Sequence, residues 1–452
     1  MKNKGLAILA LTAALAAGSS MAAYAAGWAS EDGSWVYYDS DGYRVTYEWR
    51  RGNDNLWRYL DGSGRMAVSS WVDEYYYVDE NGIMVSGKWM ELDTSPNGRT
   101  DGIYWYYFND SGKAMMDGWK KISGKWYYFD EEGMMQTGWV DDNMYFAGSD
   151  GAALVGWHKL EPPEDENDYE WEPYGDYDGK CWYYFNSSGK KYVPDEEDDG
   201  DYGEKRIDGA YYCFDEYGAM QTGWVNLEDN DDGTLEGYRF YGSDGKAVTG
   251  WYSAEPPEEL AGYADDVDWF YFSRDGKPKV GPVKGEATVS DFDRINGKTY
   301  LFDELGSPVY GLIKVYSNSS MEEYTAYFFD VNDRTPLKGK EDIEEGDGNV
   351  TEYYFTSSGK GYTGVENSKL YYMGKLQKAE DGTKYQAITI PGGKTYLVNT
   401  SGKIKKNASG TKDADGTEYT TNSTGEITAV NDMAVGAGEV IGREAEEPIW
   451  WD

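Results

Sequence analysis

The sequence predicts an all-β fold, a repeat solenoid of stacked β-hairpins. Three observations predict it: self-similarity with a period near 20 residues, an aromatic run of about four residues in each copy, and a glycine turn after each run. The cleanest copy opens at Gly118-Trp119, passes Ser123-Gly124 and reaches Trp126-Tyr127-Tyr128-Phe129-Asp130. Glu131-Glu132-Gly133 and Met134-Met135-Gln136-Thr137 follow, and Gly138-Trp139 begins the next copy. Trp119 and Trp139 are 20 residues apart, while Trp139 to Trp157 and Trp71 to Trp89 are 18 each.

Each element of the copy has a physical role. Aromatic residues favour the half-buried, pleated surface of a strand. The D-x-x-G or N-x-x-G after the run supplies a turn, with Gly taking a positive φ. Residues beyond that Gly, such as Ala114-Met115 or Met134-Met135, are expected to return as the second strand. A lone hairpin is marginal in water, so successive copies must stack and bury rings between them. The same skeleton recurs at Trp35, Tyr75, Trp105, Trp182, Tyr211, Tyr238, Trp269 and Thr299.

Composition agrees with many small joints in place of one large core. Aromatics make up 16% of the chain, with 43 Tyr, 18 Trp and 57 Gly. The 82 acidic residues outnumber the 42 basic ones, for a net charge of −40. Phosphate-backbone binding needs clustered Lys and Arg, so nucleic acid is excluded as a partner. A cationic ligand is attracted instead, over a Debye length of ~8 Å, and the same charge keeps an aromatic surface soluble.

Residues 1–25 are expected to be a cleaved signal peptide. Lys2 and Lys4 precede an apolar run over 6–17, and Ala23-Tyr24-Ala25 has the A-x-A form of a cleavage site. That run falls short of the ~20 residues needed to span a bilayer, so no membrane insertion is expected after cleavage. Export permits a disulfide. Cys181 and Cys213 stand four residues and one residue before Phe185 and Phe214, which places them on opposite faces of ideal strands and leaves a bridge open.

The repeats divide into two zones. Over 27–283 nearly every copy keeps its Trp; over 284–428 they degenerate, with Gly311-Leu312 and Gly364-Val365 where Gly-Trp is expected. Residues 429–452 lack the pattern and are expected to form a flexible tail ending in Trp450-Trp451-Asp452. Insertions at 93–101, 162–178, 227–235 and 255–268 fall between the Trp and the next aromatic run, and 194–204 carries Asp195-Glu196-Glu197-Asp198-Asp199. None has EF-hand spacing, so these are expected to be solvated loops with no metal site. Trp49, Trp71 and Trp89 lack a preceding Gly, and the long insertions are expected to alter hairpin spacing and leave some sites incomplete.

The string Gly-Trp…Gly-Lys-Trp-Tyr-Tyr-Phe-Asp…Gly-Met-Met-Gln-Thr-Gly-Trp resembles the cell-wall-binding, or choline-binding, repeat of Gram-positive surface proteins. That resemblance implies hairpins stacked in a left-handed β-solenoid, with choline of teichoic or lipoteichoic acid held in aromatic cages between consecutive repeats. Related repeats bind carbohydrate, so another cell-wall glycan is the alternative ligand. A quaternary ammonium cannot donate a hydrogen bond, and aromatic faces recognise it at roughly 0.5–2 kcal/mol per ring. The family cage carried onto this sequence gives Trp119 and Trp126, completed by Trp139 or Tyr145. A second cage is Trp89 and Trp105, completed by Trp119 or Tyr128. Most other ring positions are expected to serve packing.

No enzyme is expected. His158 is the only histidine, and HExxH, phosphate-loop and nucleophile-elbow motifs are absent from the sequence. Counting cannot dismiss paired carboxylates among so many acids, but no non-repeat region has the size of a catalytic domain. No cofactor is expected. An LPxTG sequence with an apolar tail is also absent, so covalent anchoring is not expected. The function expected is non-catalytic attachment to the cell wall from a secreted, surface location; the alternative is a structural spacer or adhesin that binds glycans or a protein partner.

Overall fold

The computed structural model describes residues 26–163, 179–195, 202–228, 233–261, 267–436 and 441–451. The expected signal peptide, most of the 162–178 insertion and parts of those at 194–204, 227–235 and 255–268 lie outside them. The chain divides into two units, Met1–Tyr192 and Val193–Asp452.

In the first unit the described residues form seven two-stranded antiparallel hairpins. Hairpin 1 pairs Gly27–Glu31 with Ser34–Tyr38, hairpin 2 Glu48–Arg51 with Trp57–Leu60, and hairpin 3 Ser70–Val72 with Tyr76–Val78. Hairpin 4 pairs Lys88–Leu92 with Tyr104–Phe108, and hairpin 5 pairs Gly118–Ile122 with Lys125–Phe129. Hairpin 6 pairs Gly138–Val140 with Tyr145–Ala147, and hairpin 7 pairs Gly156–Leu160 with Cys181–Phe185.

This pairing corrects the expected hairpin. The aromatic run pairs backward with its own Gly-Trp strand, Trp119 opposite Tyr128, through a turn at Ser123 and Gly124 with φ of 49° and 88°. Two successive positive φ values give the primed turn that matches strand twist. Residues after the D-x-x-G turn form only a bridge, Phe129 to Met135, not a strand. That second turn is held by Asp130, whose Oδ1 accepts from Glu132 N at 3.0 Å and Met134 N at 2.8 Å. One backbone bond then ties each hairpin to the next: Met135 N donates to Trp105 O at 2.8 Å and Ala153 N to Trp126 O at 2.9 Å.

Insertions between a Trp and its aromatic run separate the two strands of one hairpin and leave the ladder in register. Trp157 still faces Tyr184 across the 162–178 insertion, and Trp251 faces Tyr271 across 255–268. The missing glycines are equally harmless. A left-handed residue sits one position earlier, at Tyr47, Ser69 and Gly87, and Trp49, Trp71 and Trp89 keep their partners Tyr59, Tyr77 and Tyr107.

The second unit begins in the same style. Hairpins 8 to 11 pair Tyr202–Ile207 with Ala210–Asp215, Gly223–Asn226 with Tyr238–Tyr241, Gly250–Ala254 with Asp268–Phe272, and Asp293–Ile295 with Lys298–Tyr300. Hairpin 12 pairs Gly311–Tyr316 with Tyr324–Phe329. Beyond it the hairpins merge. Gly339–Glu344, Val350–Phe355, Lys375–Leu376, Lys369–Tyr372 and Gly364–Glu366 make one five-stranded sheet. The core there includes Leu312, Ile343, Leu370, Ile388, Val398 and Ile404.

Residues 441–451 are not a flexible tail. Arg443–Glu444 adds a parallel strand to Gln386–Ile390. Ile449 N donates to Glu345 Oε1 at 2.9 Å and Trp451 Nε1 to Glu344 O at 2.7 Å. Both terminal tryptophans pack on this core. Trp451 lies over Gly311, where a Cβ would come within 2.3 Å of its ring. Cys181 and Cys213 are buried, one in each unit, and burial pushes the Cys213 thiol above its usual value.

Candidate aromatic ligand site

The alternation of the strand divides each aromatic run between two faces. Positions 1 and 3 share a face with the Gly-Trp tryptophan of the same hairpin; positions 2 and 4 turn the other way, onto the preceding hairpin. In hairpin 5, Tyr128 (position 3) meets Trp119 edge-on with ring centroids 5.2 Å apart. Tyr127 and Phe129 (positions 2 and 4) pack on Trp89 of hairpin 4, at 4.8 and 5.9 Å. Tyr106 and Phe108 meet Trp71 in the same way, Tyr183 and Phe185 meet Trp139, and Phe270 and Phe272 meet Trp224.

Position 1 is different. Trp105 is 43% exposed and Trp126 40%, and Trp35, Trp57, Tyr75, Trp182, Tyr211 and Trp269 are exposed too. In hairpin 4, Trp105 lies opposite Glu91 and Tyr107 opposite Trp89. Trp105 is therefore a diagonal, same-face neighbour of Trp89, at a typical spacing of ~7–8 Å.

Each joint thus offers four residues: the Gly-Trp tryptophan and position 1 of one hairpin, then position 2 of the next and the residue that donates to position 1. Between hairpins 4 and 5 these are Trp89, Trp105, Tyr127 and Met135. Between hairpins 5 and 6 they are Trp119, Trp126, Tyr145 and Ala153, with Trp119 and Tyr145 rings 4.7 Å apart. Of the residues expected to complete these cages, Tyr145 is brought to Trp119. Trp139 is not; it packs with Phe146, Tyr183 and Phe185 in the following joint. The Trp89 pair meets neither Trp119 nor Tyr128 but Tyr127, because parity sends position 2 backward and holds position 3 on its own hairpin.

Further joints were not expected from the sequence, two of them in hairpins 1–3. Between hairpins 2 and 3 lie Trp49, Trp57, Tyr76 and Met84; Trp49 and Tyr76 are 5.6 Å apart and Met84 N donates to Trp57 O at 2.9 Å. The signal was the same Trp-to-run spacing, hidden by the absent Gly. Between hairpins 1 and 2 a cavity of about 400 Å³ is lined by Trp28, Trp35, Met66 and Arg58, among others. Arg58 stands there at position 2 and pairs with Asp54 at 2.7 Å.

The indoles are held in place. Trp28, Trp71 and Trp139 donate Nε1–H to the carbonyls of Arg51, Thr94 and Glu161 at 2.9–3.0 Å, whereas Trp119 donates to the Asp141 carboxylate at 2.9 Å. Burial and then the negative charges of Asp141, Asp117 and Asp142 push the Tyr128 phenol above its usual pKa. Carboxylates beside ring faces make this joint favour a cation. Among the described residues no group of three or more His, Cys, Asp or Glu side chains is placed to hold a metal ion, and no helix is long and apolar enough to cross a membrane.

Residues 25–71 and 116–157 match the family of the choline-binding repeat, and 101–114 and 177–191 match the "Putative cell wall binding repeat". A glucosyltransferase-S of Streptococcus mutans serotype c is 31% identical over 242 residues, 50% of this chain and 15% of that protein. Its counterpart in Streptococcus downei is 33% identical over 103 residues, 22% of this chain and 7% of that protein. The chain therefore spans a small fraction of these relatives. Among solved structures, CbpJ of Streptococcus pneumoniae aligns with a TM-score of 0.39 at 22% identity, covering 68% of this chain and 98% of that one. Choline binding protein F of Streptococcus pneumoniae, in the presence of a peptidoglycan analogue, aligns at 0.39 and 20%, covering 69% and 99%.

Proposed function

We propose that this chain, which carries repeats of the choline-binding, cell-wall-binding family, is a non-catalytic secreted protein that holds to the bacterial wall through choline or similar groups on teichoic or lipoteichoic acid. The sites are joints among hairpins 1–6. Trp89, Trp105, Tyr127 and Met135 form one, and Trp119, Trp126 and Tyr145 another, with Tyr128 backing Trp119. The observation that carries this reading is the row of exposed first-position aromatics in hairpins 1–5, each diagonal to a tryptophan fixed by a hydrogen bond or ring contact. A methylated ammonium between two ring faces gains cation–π attraction from both and needs no hydrogen bond, while nearby carboxylates supply the countercharge.

The test is retention of the full-length protein on a choline or tertiary-amine resin. Retention with elution by free choline is expected, and W89A/W105A combined with W119A/W126A should weaken it by removing two of the joints. A protein that passes unretained, or that choline does not elute, overturns the reading. A glycan ligand is the second reading, favoured by 31% identity to a glucosyltransferase across half of the chain. Binding to a glycan array unaffected by choline would select it.

A further inference from the structure

We infer that the joint between hairpins 6 and 7 is filled by a cation of the chain itself, Lys191, and takes no external ammonium. The inference rests on the aromatic-joint reading and specifies which joint is closed. Lys191 occupies the place held by Met66, Met84 and Met135 in other joints: its N–H donates to Met144 O at 2.7 Å, as Met135 N does to Trp105 O. Its ammonium lies 5.0 Å from the Trp139 ring centroid and 5.6 Å from that of Tyr183. These are the Gly-Trp and position 2 rings of that joint. Although it is a lysine, the residue is only 7% exposed. Lys190, beside it, is exposed. Position 1 here is Met144, not Trp, so the joint also lacks the outer ring that an external ligand would use. A buried ammonium over two ring faces recovers part of its lost hydration by cation–π attraction. The joint is thus closed by covalent supply of the same chemistry that the others offer to a ligand.

The experiment counts choline sites per full-length chain by equilibrium dialysis in wild type, M144W and K191M/M144W. The double variant restores the Trp, Trp, Tyr and Met set of the joint between hairpins 4 and 5, and one additional site is expected. M144W alone should match wild type, because Lys191 still fills the joint. A gain in M144W alone, or no gain in the double variant when wild type binds choline, overturns the inference. If wild type binds no choline, the ligand reading fails, and the inference is decided by the amine. Acetic anhydride labelling of the native chain should then modify Lys191 at least ~10-fold more slowly than Lys190, about 1.4 kcal/mol of protection. Equal labelling rates would overturn it.

Discussion

In hairpins 1–7 the joints centre on tryptophan; from hairpin 12 onward aliphatic side chains share the core with Tyr and Phe rings, and strands beyond that hairpin join larger sheets. The repeat is the same in both places. Trp119 faces Tyr128 across its hairpin, and Leu312 faces Phe328 at the corresponding position. The consequence of that single change is large. Tryptophan is wide enough to meet position 3 of its own hairpin and position 2 of the next, and it leaves position 1 at the surface. Leucine has no ring to set between two hairpins, and Leu312 is fully buried in a core with Ile343, Tyr353 and Leu370. The ring partner that Phe328 then lacks locally is supplied by Trp451, edge-on at 5.7 Å.

The largest expected effect tests the closed region. Lys375 and Glu345 are a buried pair at 3.1 Å, and Glu345 also accepts from Tyr353 and from the C-terminal Ile449 N–H. K375M leaves a buried charge uncompensated and should destabilise this unit by ~3–5 kcal/mol in denaturant unfolding, with K375M/E345Q recovering much of it. No destabilisation would show that the pair is not a structural centre of the region.

Next comes the division of labour within an open joint. W119A removes a ring packed on Tyr128 and Tyr145 and should cost ~2–4 kcal/mol in stability. W126A removes an exposed ring, should change stability by no more than ~0.5 kcal/mol, and should weaken choline binding at its joint ~2–30-fold. Equal stability losses would break the contrast between the inner and outer positions. W451A is intermediate, at ~1–3 kcal/mol, read as lower hydrogen-exchange protection of Leu312 and Phe328.

The smallest effects concern pH. Burial, with Glu304 and Asp268 adding to it, raises the Asp303 carboxyl from 3.8 to about 6. A raised carboxyl binds its proton more tightly in the folded state, so this group costs stability as pH climbs from 3.8 through 6. D303N keeps the Oδ1 acceptor for Leu305 and Ser307 and should be more stable than wild type at pH 7, with a flatter slope over that window. At Glu352 burial also pushes upward, but hydrogen bonds from Lys340, Lys369 and Tyr371 outweigh it and bring the carboxyl from 4.5 to about 2. Its contribution is present above pH 4.5 and is lost as pH falls toward 2, so E352Q should remove that acid-side loss. Identical pH profiles for the two variants would contradict these opposite signs.

Sequence alone determined the period, the existence of hairpins and which copies carry a Trp. Those properties are local: they follow from runs of rings, glycine turns and spacing. Tertiary structure decided which residues complete a site. The run pairs backward through Ser123-Gly124, so positions 2 and 4 face the preceding hairpin, and Tyr127, not Tyr128 or Trp119, is brought to Trp89. It also decided the fate of the C-terminal segment. The partners of Ile449 and Trp451, Glu345 and Glu344, lie 104 and 107 residues upstream, a separation that no local pattern encodes. The closure of one joint by Lys191 has the same origin: in sequence it is one of two adjacent lysines, and only stacking places its ammonium over Trp139 and Tyr183.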